Sequence, residues 1–261
     1  MEKLFLWEDG RAPYLEECGG QDAPSMTLYR AQENGHSCGV VLVCPGGGYC
    51  HKAPHEGAPI AEMINEAGID AAVLDYRVAP CPHMAPLSDA QRAIRMLRAK
   101  GYEKVAILGF SAGGNLACNA ATHYDRGNEG ADDPVERMSC RPDALVSCYS
   151  VVSMTQHTHV GSLENLLGER CGDIALQRYF SAERNVTSDT PPAFIWHTAE
   201  DAAVPVENSL NLASAFSRCG VPFELHVFPK GRHGLGLAAG YPADAWTGLC
   251  KNWLKTLGFA G

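Results

Sequence analysis

The chain has no cluster of lysine and arginine. Its 21 basic residues stand against 30 acidic ones, a formal charge of −9, so the basic footprint that tracks phosphates is missing and nucleic acid is not expected as a partner. No run approaches the roughly 18 apolar residues of a membrane-spanning helix. MEKLFLWEDG, at the start, has no basic segment followed by an apolar one, so a soluble, unexported protein without a membrane partner is expected. The 11 cysteines among 261 residues contain no C-x-x-C. Neither a disulfide framework nor a zinc site of ordinary spacing is therefore indicated, and most thiols are expected to be reduced and buried in a cytoplasmic protein. Internal repeats, low-complexity tracts and interdomain linkers are also lacking; DRGNEGADDP (125–134) reads as a surface loop, and one domain over 1–261 is expected.

What the sequence does have is alternation. KLFLW (3–7) and MTLYR (26–30) read as short strands of an antiparallel edge. Six buried-strand runs follow: GVVLVC (39–44), DAAVLDY (70–76), KVAILG (104–109), DALVSCY (143–149), AFIWHT (193–198) and FELHVF (223–228). Helical periods separate them. Ser88 and Gln91 have capping-box spacing ahead of a stripe of Ala90, Ala93, Ile94 and Leu97, with Gly101 as a left-handed stop. Pro205 opens a helix expected to turn Leu210, Ala213 and Phe216 inward before Gly220, and Trp246, Leu249, Cys250, Trp253 and Leu257 mark the last helix. Such a pattern predicts an α/β fold with an eight-stranded, mostly parallel sheet and helices on both faces. In these sheets the site lies beyond the carboxyl ends of the strands. Between two core strands, 151–190 reads as a small helical insertion, with Ser162 and Asp173 as N-caps of two short helices: a minimal cap rather than a lid.

Chemistry enters at KVAILGFSAGGNLACNAA. A buried strand runs into Gly109-Phe110-Ser111-Ala112-Gly113 and a helix begins at once, the strand-turn-helix context that gives G-x-S-x-G meaning and makes Ser111 the candidate nucleophile. A serine hydroxyl needs a base, and the base needs an orienting carboxylate. Asp201 follows the strand AFIWHT and His233 follows FELHVF, each in a loop at a strand's carboxyl end; Glu200 is the rival acid. Attack on an ester carbonyl places negative charge on oxygen, which aimed main-chain N–H groups can hold. Ala112, directly after the serine, supplies one candidate donor, and Gly47 and Gly48 in the CPGGGYC turn supply the others. Tyr49, Trp196 and His197 are candidate pocket residues. Glu56 and Arg77 could pair with each other or shape the pocket floor. His51/His55 and His157/His159 lack a third ligand, so no metal is expected, and nothing calls for a cofactor.

In this order PGGGY, HEG, DYRVAP, GFSAGGNLA, TPPAFIWHTAEDAAVPVENS and GRHGLGL, spread over roughly residues 40–237, resemble the α/β-hydrolases, and more narrowly the acetyl xylan esterase branch of carbohydrate esterases. The resemblance implies a Ser111–His233–Asp201 triad and hydrolysis of short acyl esters, such as O-acetyl groups of xylan or xylooligosaccharides, through an acyl-enzyme. The same fold also carries serine exopeptidases and binding proteins that have lost catalysis, and both remain alternatives to a small-molecule or oligosaccharide esterase.

Overall fold

The structure is a computed structural model, and it describes residues 1–7, 11–31 and 37–260. Its eight strands are β1 (Glu2–Phe5), β2 (Ser25–Tyr29), β3 (Gly39–Cys44), β4 (Asp70–Asp75), β5 (Lys104–Phe110), β6 (Ala144–Cys148), β7 (Ala193–Thr198) and β8 (Phe223–Phe228). They form one sheet in the order β1-β2-β4-β3-β5-β6-β7-β8. β1 and β2 are the antiparallel edge, and every pairing from β4 to β8 is parallel. Parallel strands need crossovers, and the chain supplies helices that cover both faces, which is why the central strands read as unbroken apolar runs.

Successive residues of each strand feed two cores. On one face Val40, Leu42, Val105, Ile107 and Ile195 meet α2 (Met84–Ala99), α3 (Ser111–Thr122) and α6 (Glu207–Cys219). On the other, Val41, Val43, Ala106, Leu108 and Trp196 meet α1 (Ala58–Asn65) and α7 (Ala245–Thr256). Two further short helices, α4 (Val160–Leu167) and α5 (Ile174–Tyr179), make up the insertion between β6 and β7. Among the described residues, no helix is long and apolar enough to cross a membrane.

Several local expectations are corrected. Helix α2 starts at Met84, so Ser88 lies within it and donates its hydroxyl proton to the Ala85 carbonyl instead of capping. Pro86 sits in its first turn, where a missing N–H is harmless. Ser162 lies inside α4; the cap is His159, whose Nδ1 accepts from the Ser162 N–H at 3.2 Å. Asp173 does cap α5, accepting from the N–H groups of Ala175 and Leu176. Leu210 faces solvent, as does much of Leu249, while Ala213 and Phe216 are buried. Cys18 and Cys81, 63 residues apart, form a disulfide, and the other nine cysteines are free. Spacing rules cannot see a pair that tertiary structure brings together.

Candidate active site

Five strand ends build the site. In register, Cys44 of β3 lies beside Gly109 of β5, Phe110 beside Cys148 of β6, and Thr198 of β7 beside Phe228 of β8. The loops that leave these ends therefore open on one edge of the sheet, and they carry Gly46–Gly48, Ser111, Tyr149, Asp201 and His233.

Ser111 stands on the turn between β5 and α3 with φ at +52°. A non-glycine residue in that region is strained by about 1–3 kcal/mol, and it persists only where packing over-determines it. Here the reason is close approach. A Cβ on Gly109 would lie 2.1 Å from the Gly113 carbonyl oxygen, and one on Gly113 would lie 2.2 Å from that of Cys44. Strand and helix are thus pressed together around the serine, whose own carbonyl accepts from the Val151 N–H at 3.0 Å.

The structure brings the three distant side chains together. His233 Nε2 lies 2.8 Å from Ser111 Oγ, and its Nδ1 lies 2.6 Å from Asp201 Oδ2. With Nδ1 donating to the carboxylate, Nε2 is free to accept the serine proton. Asp201 is fixed in turn. Its Oδ1 accepts from the N–H groups of Ala203 and Val204, and its Oδ2 lies 3.3 Å from His197 Nε2. Burial alone would raise the pKa of this carboxyl, but hydrogen bonds from His197, His233 and the Val204 amide outweigh it and hold the group well below its ordinary range. Glu200, the rival acid, instead pairs with Lys230 at the surface.

The glycine turn faces the serine from the other side. Gly47, Gly48 and Tyr49 all have positive φ, at 128°, 61° and 60°. At Gly47 a side chain is excluded, because a Cβ would sit 2.2 Å from the His51 carbonyl oxygen. The Gly47 carbonyl accepts from the N–H groups of Cys50 and His51, and that of Gly46 accepts from Ala53. By contrast, the N–H groups of Gly47, Gly48 and Ala112 have no acceptor among the described residues. Gly47, Gly48, Ser111 and His233 line a cavity of about 320 Å³.

Glu56, and Tyr149, which the sequence did not single out, tie the flanks together. Glu56 is buried; its Oε2 accepts from the Gly46 N–H at 2.8 Å and its Oε1 from the Tyr149 hydroxyl at 2.6 Å. The same hydroxyl accepts from the Gly236 N–H at 2.8 Å, and the Tyr149 ring stands edge-on to His233, 5.2 Å between centroids. Burial, then the adjacent Glu56 carboxylate, hold the phenol far above its ordinary pKa, so it remains a donor. Glu56 and Arg77 do not pair with each other: Glu56 lines the cavity, and Arg77 takes a structural salt bridge instead, bound to Asp89 at 2.6 Å deep in the protein.

The pocket expectations are also corrected. Tyr49, Trp196 and His197 are buried and do not line the cavity. The Tyr49 hydroxyl donates to Asn115 Oδ1, Trp196 stacks on Trp246, and His197 lies behind Asp201 between Ser209 and Val204. The lining comes instead from His51, His55, His159 and Asn165, among others. Asn165 Nδ2 donates to the Gly48 carbonyl at 2.8 Å. Burial and the proximity of His233 lower the pKa of His159, which favours its neutral form. His55 Nε2 lies 3.1 Å from the Gly234 carbonyl oxygen, and no group of three or more metal-ligating side chains is gathered among the described residues. In the sequence His159 enters only as a candidate metal ligand, and Asn165 is hinted at only by its place in an insertion beside the strand ends.

Residues 26–216 match the model of the BD-FAE family. The chain belongs to that family. This BD-FAE member is a α/β-hydrolase of the esterase-like superfamily. It is 39% identical over 254 residues to endo-1,4-beta-xylanase B of Butyrivibrio fibrisolvens, a match spanning 93% of the chain and 39% of the relative. With the acetylxylan esterase of Xylanibacter ruminicola it shares 32% identity over 230 residues, 84% of the chain and 45% of that relative. The chain thus spans less than half the length of these two curated relatives. Among solved structures, an acetyl ester-xyloside bifunctional hydrolase from Caldicellulosiruptor lactoaceticus superposes with a TM-score of 0.94 at 46% identity, covering 100% of this family member and 97% of that chain.

Proposed function

We propose that the protein is a serine carboxylic-ester hydrolase that removes short acyl groups, chiefly O-acetyl, from carbohydrates such as acetylated xylooligosaccharides. The observation that carries this reading is the unbroken hydrogen-bond line from Ser111 through His233 to Asp201 beside unpaired main-chain N–H groups. In the proposed mechanism Ser111 Oγ attacks the ester carbonyl while His233 Nε2 takes its proton. Asp201 fixes the ring and balances the imidazolium. The carbonyl oxygen, now negative, is received by the N–H groups of Ala112, Gly47 and Gly48. On collapse the bond between the carbonyl carbon and the sugar oxygen breaks and His233 gives the proton to that departing oxygen, so the sugar leaves as an alcohol and an acyl-enzyme remains. Water, activated by the same imidazole, then releases the acid and restores the serine.

Two relatives support the substrate class by their names, an acetylxylan esterase and an acetyl ester-xyloside hydrolase. The xylanase is more than twice as long as its matched part, so its name gives no reason to assign glycanase chemistry to the shared portion. The insertion adds only His159, Gly161 and Asn165 to the cavity wall, and we read it as a minimal cap with room for a bulky alcohol. Acetate release from acetylated xylooligosaccharides, measured beside aryl acetates, longer acyl esters and aminoacyl amides, tests the reading. Highest kcat/KM on acetylated sugars is expected; preference for amides would favour an exopeptidase, and inertness on all of them a binding protein.

A further inference from the structure

A second cavity, about 590 Å³, adjoins the first: Cys50 and His51 line both. Its volume is in the range of ligand sites. From the shared wall it runs over Lys52 and Asp75 to Gln21 and Asp22.

The far wall is built and held. Gln21 Nε2 donates to the carbonyls of Val78 and Ala79, at 2.8 and 3.0 Å, and its Oε1 accepts from the Val78 N–H. The Cys18–Cys81 bridge and a hydrogen bond from Arg77 to the Pro13 carbonyl join the same two segments. Ala79 N–H donates to the Tyr49 carbonyl at 2.8 Å, so this wall is coupled directly to the glycine turn. Across the floor, Lys52 Nζ lies 2.7 Å from Asp75 Oδ1 and 3.1 Å from the Tyr76 carbonyl, with both side chains still partly open to solvent.

We infer that this groove is a subsite for the alcohol half of the substrate, holding the glycosyl units next to the esterified one. The inference rests on the carbohydrate-ester reading above. A sugar hydroxyl both donates and accepts, and an ammonium beside a carboxylate offers partners of both kinds, on a charged floor poorly suited to an acyl or aryl tail. Continuity through Cys50 and His51 lets one oligosaccharide reach from Ser111 into the groove. The rigid wall limits the ordering that binding must otherwise bear.

The test compares kcat/KM on an acetylated xylooligosaccharide with that on 4-nitrophenyl acetate, in the full chain and in Lys52→Ala and Asp22→Trp. The first removes a charged partner and the second, at an exposed position, blocks the groove by bulk. The ratio of oligosaccharide to aryl acetate activity is expected to fall about tenfold or more in each, as loss of a charge-assisted hydrogen bond would produce. In parallel, unacetylated xylotetraose should compete with 4-nitrophenyl acetate hydrolysis, with an inhibition constant raised about tenfold in the variants. Shifts under twofold in both measurements, with melting curves like the parent's, overturn the groove. The competition arm needs only aryl ester hydrolysis. Competition without sugar deacetylation would therefore reject the substrate reading, whereas sugar deacetylation with no effect of either variant would reject the groove alone.

Discussion

The two flanks of the Ser111 hydroxyl are held in opposite ways. On the acid–base flank, Asp201 takes main-chain hydrogen bonds from residues only two and three positions ahead, and His233 leaves the adjacent strand end. On the glycine flank the turn's own main-chain bonds are not the whole support: side chains far off in sequence add to them, Asn165 on Gly48, 117 residues away, and Tyr149 on Glu56, 93 residues away, while Glu56 itself holds the Gly46 N–H. One flank is set by local turns and strand register. The other adds tertiary contacts, and Glu56, Tyr149 and the His55–Gly234 contact bridge the two.

The largest effect should come from the local flank. Replacing Asp201 by Asn should lower kcat on an aryl acetate by about 10³–10⁴, because the imidazole loses the partner that fixes its tautomer, while substrate binding changes little. Its stability effect has a definite sign. The Asp201 carboxyl is held below its ordinary pKa in the folded state, so its ionised form contributes stability above the unfolded carboxylate value of about 4. That contribution falls away as pH drops further and the unfolded chain takes up the proton first. Urea unfolding of parent and variant at pH 7, 5 and 3 should show a gap present at pH 7 and 5 and shrinking toward pH 3.

Tyr149→Phe tests the bridge. It leaves the Gly236 N–H and one Glu56 oxygen without their partner, which should destabilise the protein by about 1–3 kcal/mol in chemical unfolding. Since the loops on both sides loosen, kcat should also fall, on the order of tenfold. An unchanged kcat with reduced stability would make the two flanks independent. Asn165→Ala should have the smallest effect. The Gly48 carbonyl loses one donor worth about 1 kcal/mol, so kcat should drop a few-fold with little change in KM. A loss as large as that at Asp201 would mean that the glycine flank, not the acid–base flank, dominates the rate.

The same contrast explains what could be read in the sequence. Eight strands, their antiparallel edge and the positions of Ser111, Asp201 and His233 at strand ends follow from apolar periodicity and turn residues, signals that are local. Ser88 and Ser162 misled because cap rules see a serine before an apolar stripe, not a helix that has already begun. His159 caps through its ring nitrogen, an acceptor that residue preferences rank low. Trp196 and His197 were placed in the pocket for their position beside the acid loop, but side chains of a fully covered strand point into the two cores. Asn165 and the Cys18–Cys81 pair carry no periodic signal, since what they touch is set only when the chain has folded.

Covalent trapping tests the central claim most directly. An organophosphate added to the protein, with the adduct located by peptide mass spectrometry, should label Ser111 once per chain in step with loss of ester hydrolysis, and the Ser111→Ala protein should carry no adduct and show almost no turnover. Ester hydrolysis that survives in the Ser111→Ala protein, or inactivation with the label on another residue, would contradict the account.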